Sequence, residues 1–277
     1  MLKKIAKKVL SKNSTFDGML RAINFRLKNV QNFSKTSEKE KEILNLIKEN
    51  GYAVIPNFYN KEFCEKCIKE IDQLFQNKKE FVQKKSDLRI FGIEELSENM
   101  RKFGDDKFLL SLANHYNAKD TCNAFTMANR IEANLGNKGS GEGWHRDSIF
   151  RQFKSIVYLS DVTQENGPFE LIEKSHKLSS IMKDSKSAKV EFMESRFGSD
   201  IVKKVINENS DRHKVALAKA GTLLLVDTSI IHQGRPLISG VRYALTNYFF
   251  TRDEINQRLV DHFSPLVSPK KVLNMAV

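Results

Sequence analysis

Between residues 125 and 251 the chain alternates short apolar runs with glycine or proline turns, and this rhythm narrows the folds open to it. Residues 125–133 alternate like a strand, with Phe125, Met127, Asn129, Ile131 and Ala133 on one face. Further runs follow at 153–161, 169–172, 215–219, 222–227, 230–232 and 241–251, with turns at Asn166-Gly167-Pro168 and Ala220-Gly221. Such runs are too brief to be core helices. They predict antiparallel strands closed into a jelly roll or barrel. The charged stretch 178–212 reads as a helical insertion between strands.

Ahead of the strand-rich region the signals are helical. Residues 37–50 read as a helix, with Ser37 and Glu40 as a capping box and Gly51 as its stop. A short strand follows at 52–56. Residues 61–81 place Phe63, Cys67, Ile71 and Phe75 at four-residue spacing, a helix with one apolar face. The stretch 84–121 is mixed and polar, with a helical piece near 107–115. The expected class is therefore mainly β with flanking helices (α+β), in one domain over 37–277 preceded by an extension over 1–36.

Charge sets that extension apart. The chain carries +12 over 277 residues. Residues 1–30 hold eight Lys/Arg and one acid, a net charge of +7, which leaves +5 to the other 247 residues. Leu2, Ile5, Val9 and Leu10 recur at helical spacing. A basic amphipathic helix suits either an anionic membrane surface or loose packing on the main domain. Nucleic acid is a poor partner, because no basic stripe interleaved with aromatics continues through the body. No run is apolar enough to span a bilayer, and residues 1–10 lack the apolar core of a signal peptide. Three cysteines, Cys64, Cys67 and Cys122, fit a reducing, cytoplasmic setting better than a disulfide framework.

The residues with chemistry begin at Gly143-Trp144-His145-Arg146-Asp147. Side chains two apart on a strand point the same way, so His145 and Asp147 lie side by side. A second histidine would complete two imidazoles and a carboxylate, the facial set that holds non-haem iron and leaves positions open. His232 ends an apolar run 87 residues later and is the best placed. His176 falls in a turn and His213 in a polar loop. The glycine-rich loop 136–143 lacks a Gly-Lys-Ser/Thr ending and is not a phosphate cradle. Arg242 heads the last strand, sharing a face with Ala244, Thr246 and Tyr248. An inward arginine needs a carboxylate partner, either from the protein or from a ligand that the small neighbours leave room for.

His145-x-Asp147, His232 and Arg242 together resemble the phytanoyl-CoA dioxygenase-like superfamily of Fe(II)/2-oxoglutarate-dependent oxygenases. Other stretches agree. Residues 51–58 look like the family's first strand. Asn166-Gly167-Pro168 leading to Lys174-Ser175-His176-Lys177 is similar to its NGP…GSHK region, with Lys174 where glycine is common. Residues 220–227 look like the strand before its distal histidine. The resemblance covers roughly residues 38–251. It implies a double-stranded β-helix (cupin-like jelly roll) core, with His145, Asp147 and His232 as iron ligands and Arg242 on the distal carboxylate of 2-oxoglutarate, helped by Thr246. Asn129, Lys154 or Tyr158 would touch the cosubstrate, and Trp144 and Arg146 would reach the substrate. One departure is Gly234, where members often carry serine.

The implied chemistry is decarboxylation of 2-oxoglutarate to succinate with dioxygen, coupled to hydroxylation of a small-molecule, lipid or glycan substrate. An acid at position 147 argues against a halogenase. Two alternatives are a cupin-like metalloenzyme that does not use 2-oxoglutarate, and a non-catalytic protein of the same fold docked on membranes through residues 1–30.

Overall fold

The computed structural model describes residues 16–256 and Leu259. The helical spacing of Leu2, Ile5, Val9 and Leu10 lies outside these residues. Residues 16–28 form helix α1. Then come α2 (Glu38–Asn50), β1 (Tyr52–Ile55), α3 (Lys61–Asn77), β2 (Gln83–Lys84), β3 (Leu88–Phe91), α4 (Glu98–Gly104), α5 (Lys107–Asn117), β4 (Thr121–Glu132), β5 (Phe153–Tyr158) and β6 (Phe169–Ile172). Helices α6 (Leu178–Ala188) and α7 (Ser199–Glu208) form the insertion. Strands β7 (His213–Ala216), β8 (Leu223–Asp227), β9 (Ile231–Gly234) and β10 (Val241–Thr251) complete the order.

Two antiparallel sheets result, in the orders β1-β8-β5-β10-β4-β3-β2 and β7-β6-β9. This is the jelly roll the sequence rhythm predicts. Strand alternation gives the larger sheet two working faces. One packs Ala128, Phe153, Val157, Leu223, Leu225 and Leu245 against Leu44 and Ile47 of α2, Ile71 of α3, Phe103 of α4 and Leu112 of α5. Each such side chain contributes roughly 1.5–3 kcal/mol by leaving water. Its other face meets the smaller sheet, where Tyr158, Leu224, Val226 and Ala244 pack on Phe169 and Leu171 of β6. Helices α6 and α7 cover the outer side of the smaller sheet through Ala188, Val202 and Val205 against Ile172 and Ile231.

Local sequence sets the helix ends. Ser37 and Glu40 form the reciprocal capping box, and Gly51 closes α2 with φ 92. A glycine adopts that left-handed conformation without strain. Lys174 also sits there, with φ 64, at the position where the family commonly has glycine. Cys64 and Cys67 are buried in the helix-facing core as free thiols. Burial raises their pKa values to about 11 and about 12, which leaves them inert as nucleophiles.

Three stretches differ from the sequence reading. Strand β4 starts at Thr121, because Phe249, Phe250 and Thr251 of β10 extend the ladder to Asn123, Cys122 and Thr121 beyond a register shift. His213 opens β7, paired with Ile172, and is not in a loop. The polar stretch 84–121 hides β3 and α4. Tertiary pairing of β3 with β4 makes that strand, and no local alternation announces it. Among the described residues, no helix is long and apolar enough to cross a membrane.

Candidate metal centre

The segment from Trp144 to Asp147 runs between β9 and residues 195–197, joined by antiparallel bridges from His145 to His232 and to Arg196. His145 N–H donates to His232 O at 2.9 Å and His232 N–H returns to His145 O at 2.7 Å. Asp147 N–H donates to Thr228 O, and on the other side Arg146 N–H donates to Ser195 O. Alternation then turns His145 and Asp147 inward together. The loop ahead of them must pass very close. At Gly141 (φ 83) a Cβ would collide with the His145 ring, and at Gly139 it would strike Gly234 O.

His145, Asp147 and His232 converge, with their candidate ligand atoms all within 4.8 Å of one another. The imidazole centroids are 4.3 Å apart. Each ring is oriented from behind. His145 Nδ1 lies 2.8 Å from Gly143 O and His232 Nδ1 lies 2.9 Å from Ile230 O. A carbonyl only accepts, so Nδ1 carries the proton in both and Nε2 presents its lone pair. Phe169 stacks on His232 with centroids 5.2 Å apart. Burial, and then repulsion from His145, lowers His232 to about 3. Burial also lowers His145. Both imidazoles are thus neutral, as metal ligation requires.

Asp147 is oriented by Lys154. Lys154 Nζ lies 2.6 Å from Asp147 Oδ2, while Oδ1 lies 3.6 Å from His145 Nε2. Burial works against the Asp147 charge. Attraction to Lys154, then to His232 and His145, outweighs it and holds the carboxyl well below the usual carboxylate range. Lys154 also sits 3.9 Å from the centroid of the Tyr248 ring. Two neutral imidazoles and a bare carboxylate oxygen are a donor set for a divalent first-row metal, and they fit iron.

Arg242 lies on the sheet face that also carries Lys154. It is buried, and its Nη1 donates to Gly167 O. Its Nε is buried with no partner, and no carboxylate pairs with it among the described residues. Burial lowers its pKa. A buried guanidinium with an idle edge has the geometry to accept a carboxylate. Thr246 sits on the same strand face.

The remaining sequence candidates have other neighbours. Tyr158 hydroxyl accepts from Phe169 N–H and donates to Ala216 O. Asn129 donates to Asp87 Oδ2 at 3.1 Å, in a cluster that sequence reading missed. There Arg89 Nε and Ser140 Oγ also reach Asp87. Trp144 and Arg146 face away from the ligands, toward α6 and α7. At Gly234 a Cβ would lie 2.9 Å from Ser140 Cβ, so Ser140 fills the room that a serine at 234 would need.

A jelly roll in which two histidines and an aspartate meet, with a buried arginine lacking a carboxylate partner on the same sheet face as Lys154, belongs to the class of iron/2-oxoglutarate-type oxygenases. The phytanoyl-CoA dioxygenase (PhyH) family model matches residues 47–242, and the chain belongs to that family. No match is found among curated proteins. Solved structures share the fold at low identity. EctD from S. alaskensis with bound Fe is 14% identical with a TM-score of 0.61, over 81% of each chain. HygX from Streptomyces hygroscopicus with nickel and 2-oxoglutarate is 16% identical with a TM-score of 0.55, over 76% of this chain and 87% of its own. The epimerase SnoN with Fe3+, alpha ketoglutarate and nogalamycin RO is 13% identical with a TM-score of 0.57, over 77% and 84%.

Proposed function

We propose that this protein is an Fe(II)- and 2-oxoglutarate-dependent dioxygenase that hydroxylates a small-molecule, lipid or glycan substrate. The observation that carries the reading is Arg242, a buried cation without a protein carboxylate, on the sheet face that also holds Asp147 in place. His145, Asp147 and His232 would hold the iron through Nε2, Oδ1 and Nε2. Arg242 would take the distal carboxylate of 2-oxoglutarate, with Thr246 beside it. Bound iron with 2-oxoglutarate and dioxygen supplies the oxidation, with release of succinate and carbon dioxide. The chain supplies orientation. Lys154 holds one carboxylate oxygen aside, Gly143 O and Ile230 O fix the imidazole tautomers, and Phe169 keeps water off His232. Solved structures that share the fold include an epimerase and a carbocyclase, so the product formed with succinate is what identifies the reaction.

Anaerobic addition of 2-oxoglutarate to the Fe(II) protein is expected to give a weak visible charge-transfer band. His232→Ala is expected to abolish succinate formation while the fold persists. Confirmed metal binding without the band would favour a cupin-like metalloenzyme that does not use 2-oxoglutarate.

The surface adds a location to the reading. Phe16, Leu20, Leu27 and Val30 are exposed along one side of α1 and its exit. Arg26 fixes the helix to the body by donating to Ile149 O and His176 O. Within residues 1–30, whose net charge is +7, this apolar stripe suits an anionic lipid surface. Cosedimentation with anionic vesicles, absent with neutral ones and lost in Leu20→Glu/Leu27→Glu, is the expected result. Equal binding by that variant would remove the membrane from the proposal.

A further inference from the structure

Strand alternation sends Arg146 away from its neighbours His145 and Asp147, into the layer between the smaller sheet and the helices α6 and α7. There it is 3% exposed, and its Nε and Nη1 have no hydrogen-bond partner. The guanidinium opens on a cavity of ≈ 10 Å³, room for one small occupant, with Asp184, Val190, Phe197, Val202 and Ile231 among its walls. Phe197 offers only its ring face, 5.5 Å from the guanidinium carbon.

The carboxylate nearest to hand is already committed. Asp184 gives one oxygen to Arg212 Nη1 at 2.8 Å and the other to Arg212 Nη2 at 2.7 Å. The charges acting on Arg146 are Asp184 and Asp227 on one side and Arg26 and Arg212 on the other. Asp227 in turn accepts from Tyr116 hydroxyl and Ser229 hydroxyl. Arg151 shares Asp227 and Arg26 as electrostatic neighbours, so four guanidiniums, Arg26, Arg146, Arg151 and Arg212, meet the two carboxylates Asp184 and Asp227, and positive charge is in excess. A buried cation without a counter-ion is strongly disfavoured. A water molecule would satisfy the N–H groups but not the charge.

We propose that this cavity binds a small monovalent inorganic anion of chloride size, held by Arg146 Nε and Nη1. The site lies on the opposite side of the strand from the metal ligands and takes no part in holding the cosubstrate. Its effect is mechanical. Arg146 stands between two of the three ligands, so an anion that locks Arg146 against α6 and α7 also locks the strand that presents His145 and Asp147.

Thermal melts of the full chain, with chloride exchanged for gluconate at constant ionic strength, test this. The midpoint is expected to rise saturably with chloride and with bromide. In Arg146→Met the saturable part is expected to vanish. Indifference to chloride in the wild type, or an equal response in the variant, overturns the proposal. If Arg146→Met does not fold, wild-type crystals grown in bromide decide the matter. An anomalous peak within hydrogen-bond distance of Arg146 Nε and Nη1 supports the site; ordered water there without such a peak rejects it.

Discussion

Lys154 Nζ sits 2.6 Å from Asp147 Oδ2, so one oxygen of this carboxylate is engaged before any metal arrives. Only Oδ1 faces His145. The pair would therefore leave Asp147 a single oxygen for a metal, and it restrains the carboxylate from rotating.

Removing that restraint is expected to weaken metal binding. In Lys154→Met the affinity for Fe(II) or Co(II), measured by anaerobic calorimetric titration, should fall by roughly 10–100-fold, the usual consequence of losing a group that orients a ligand. An unchanged affinity would mean that Lys154 serves another purpose. Because Lys154 also lies over Tyr248, Lys154→Arg should restore part of the loss.

Arg242→Gln separates cosubstrate from metal. Loss of a charge-assisted hydrogen bond costs about 1.5–3 kcal/mol. The dissociation constant for 2-oxoglutarate should rise by about 10–100-fold, read from anaerobic titration of the visible band, while metal affinity stays the same. Equal loss of both would point to a purely structural arginine.

Gly141→Ala tests the approach of the loop to His145. The new methyl meets the imidazole, and φ 83 is unfavourable for alanine. Melting temperature and Co(II) affinity should both drop. A variant with wild-type affinity would show that the loop can move aside without disturbing the ligand.

Stability of the metal-free protein should fall with pH. Burial depresses His176, and burial together with His145 depresses His232 from 6.5 to about 3. Between the folded and unfolded pKa values the unfolded chain binds more protons, so stability is complete above about pH 6.5 and declines below it. His232 alone accounts for about 2 kcal/mol by pH 5. Thermal melts from pH 7.5 to 5 should show the decline, with a shallower slope in His232→Gln. A flat profile would contradict the burial of these rings.

Much of the site was legible because its signals were local. His145-x-Asp147 is a spacing that strand alternation converts into a shared direction, and Arg242 heads an alternating strand whose neighbours are small. Asp87, Arg89 and Ser140 were not legible, because their meeting depends on β3 pairing with β4 and on loop 136–143 folding back over it. The resemblance placed Lys154 at the cosubstrate, but its partner in the structure is Asp147, a meeting set by how the strand carrying Lys154 faces the segment before it. Arg146 shows the reverse case. Its place next to the ligands in sequence suggested the substrate side, and the same alternation that aligns His145 with Asp147 turns Arg146 away from them.

His145 and His232 do more than approach each other. Their backbones exchange both hydrogen bonds of an antiparallel pair. The two imidazoles come from segments 87 residues apart, so closing that long loop and bringing the rings together are a single event. A partly folded chain can bring His145 and Asp147 together, but not His232 with them. A metal held by all three side chains would therefore have to wait for the closed sheet, where the spacing of a finished pocket would set the terms of loading.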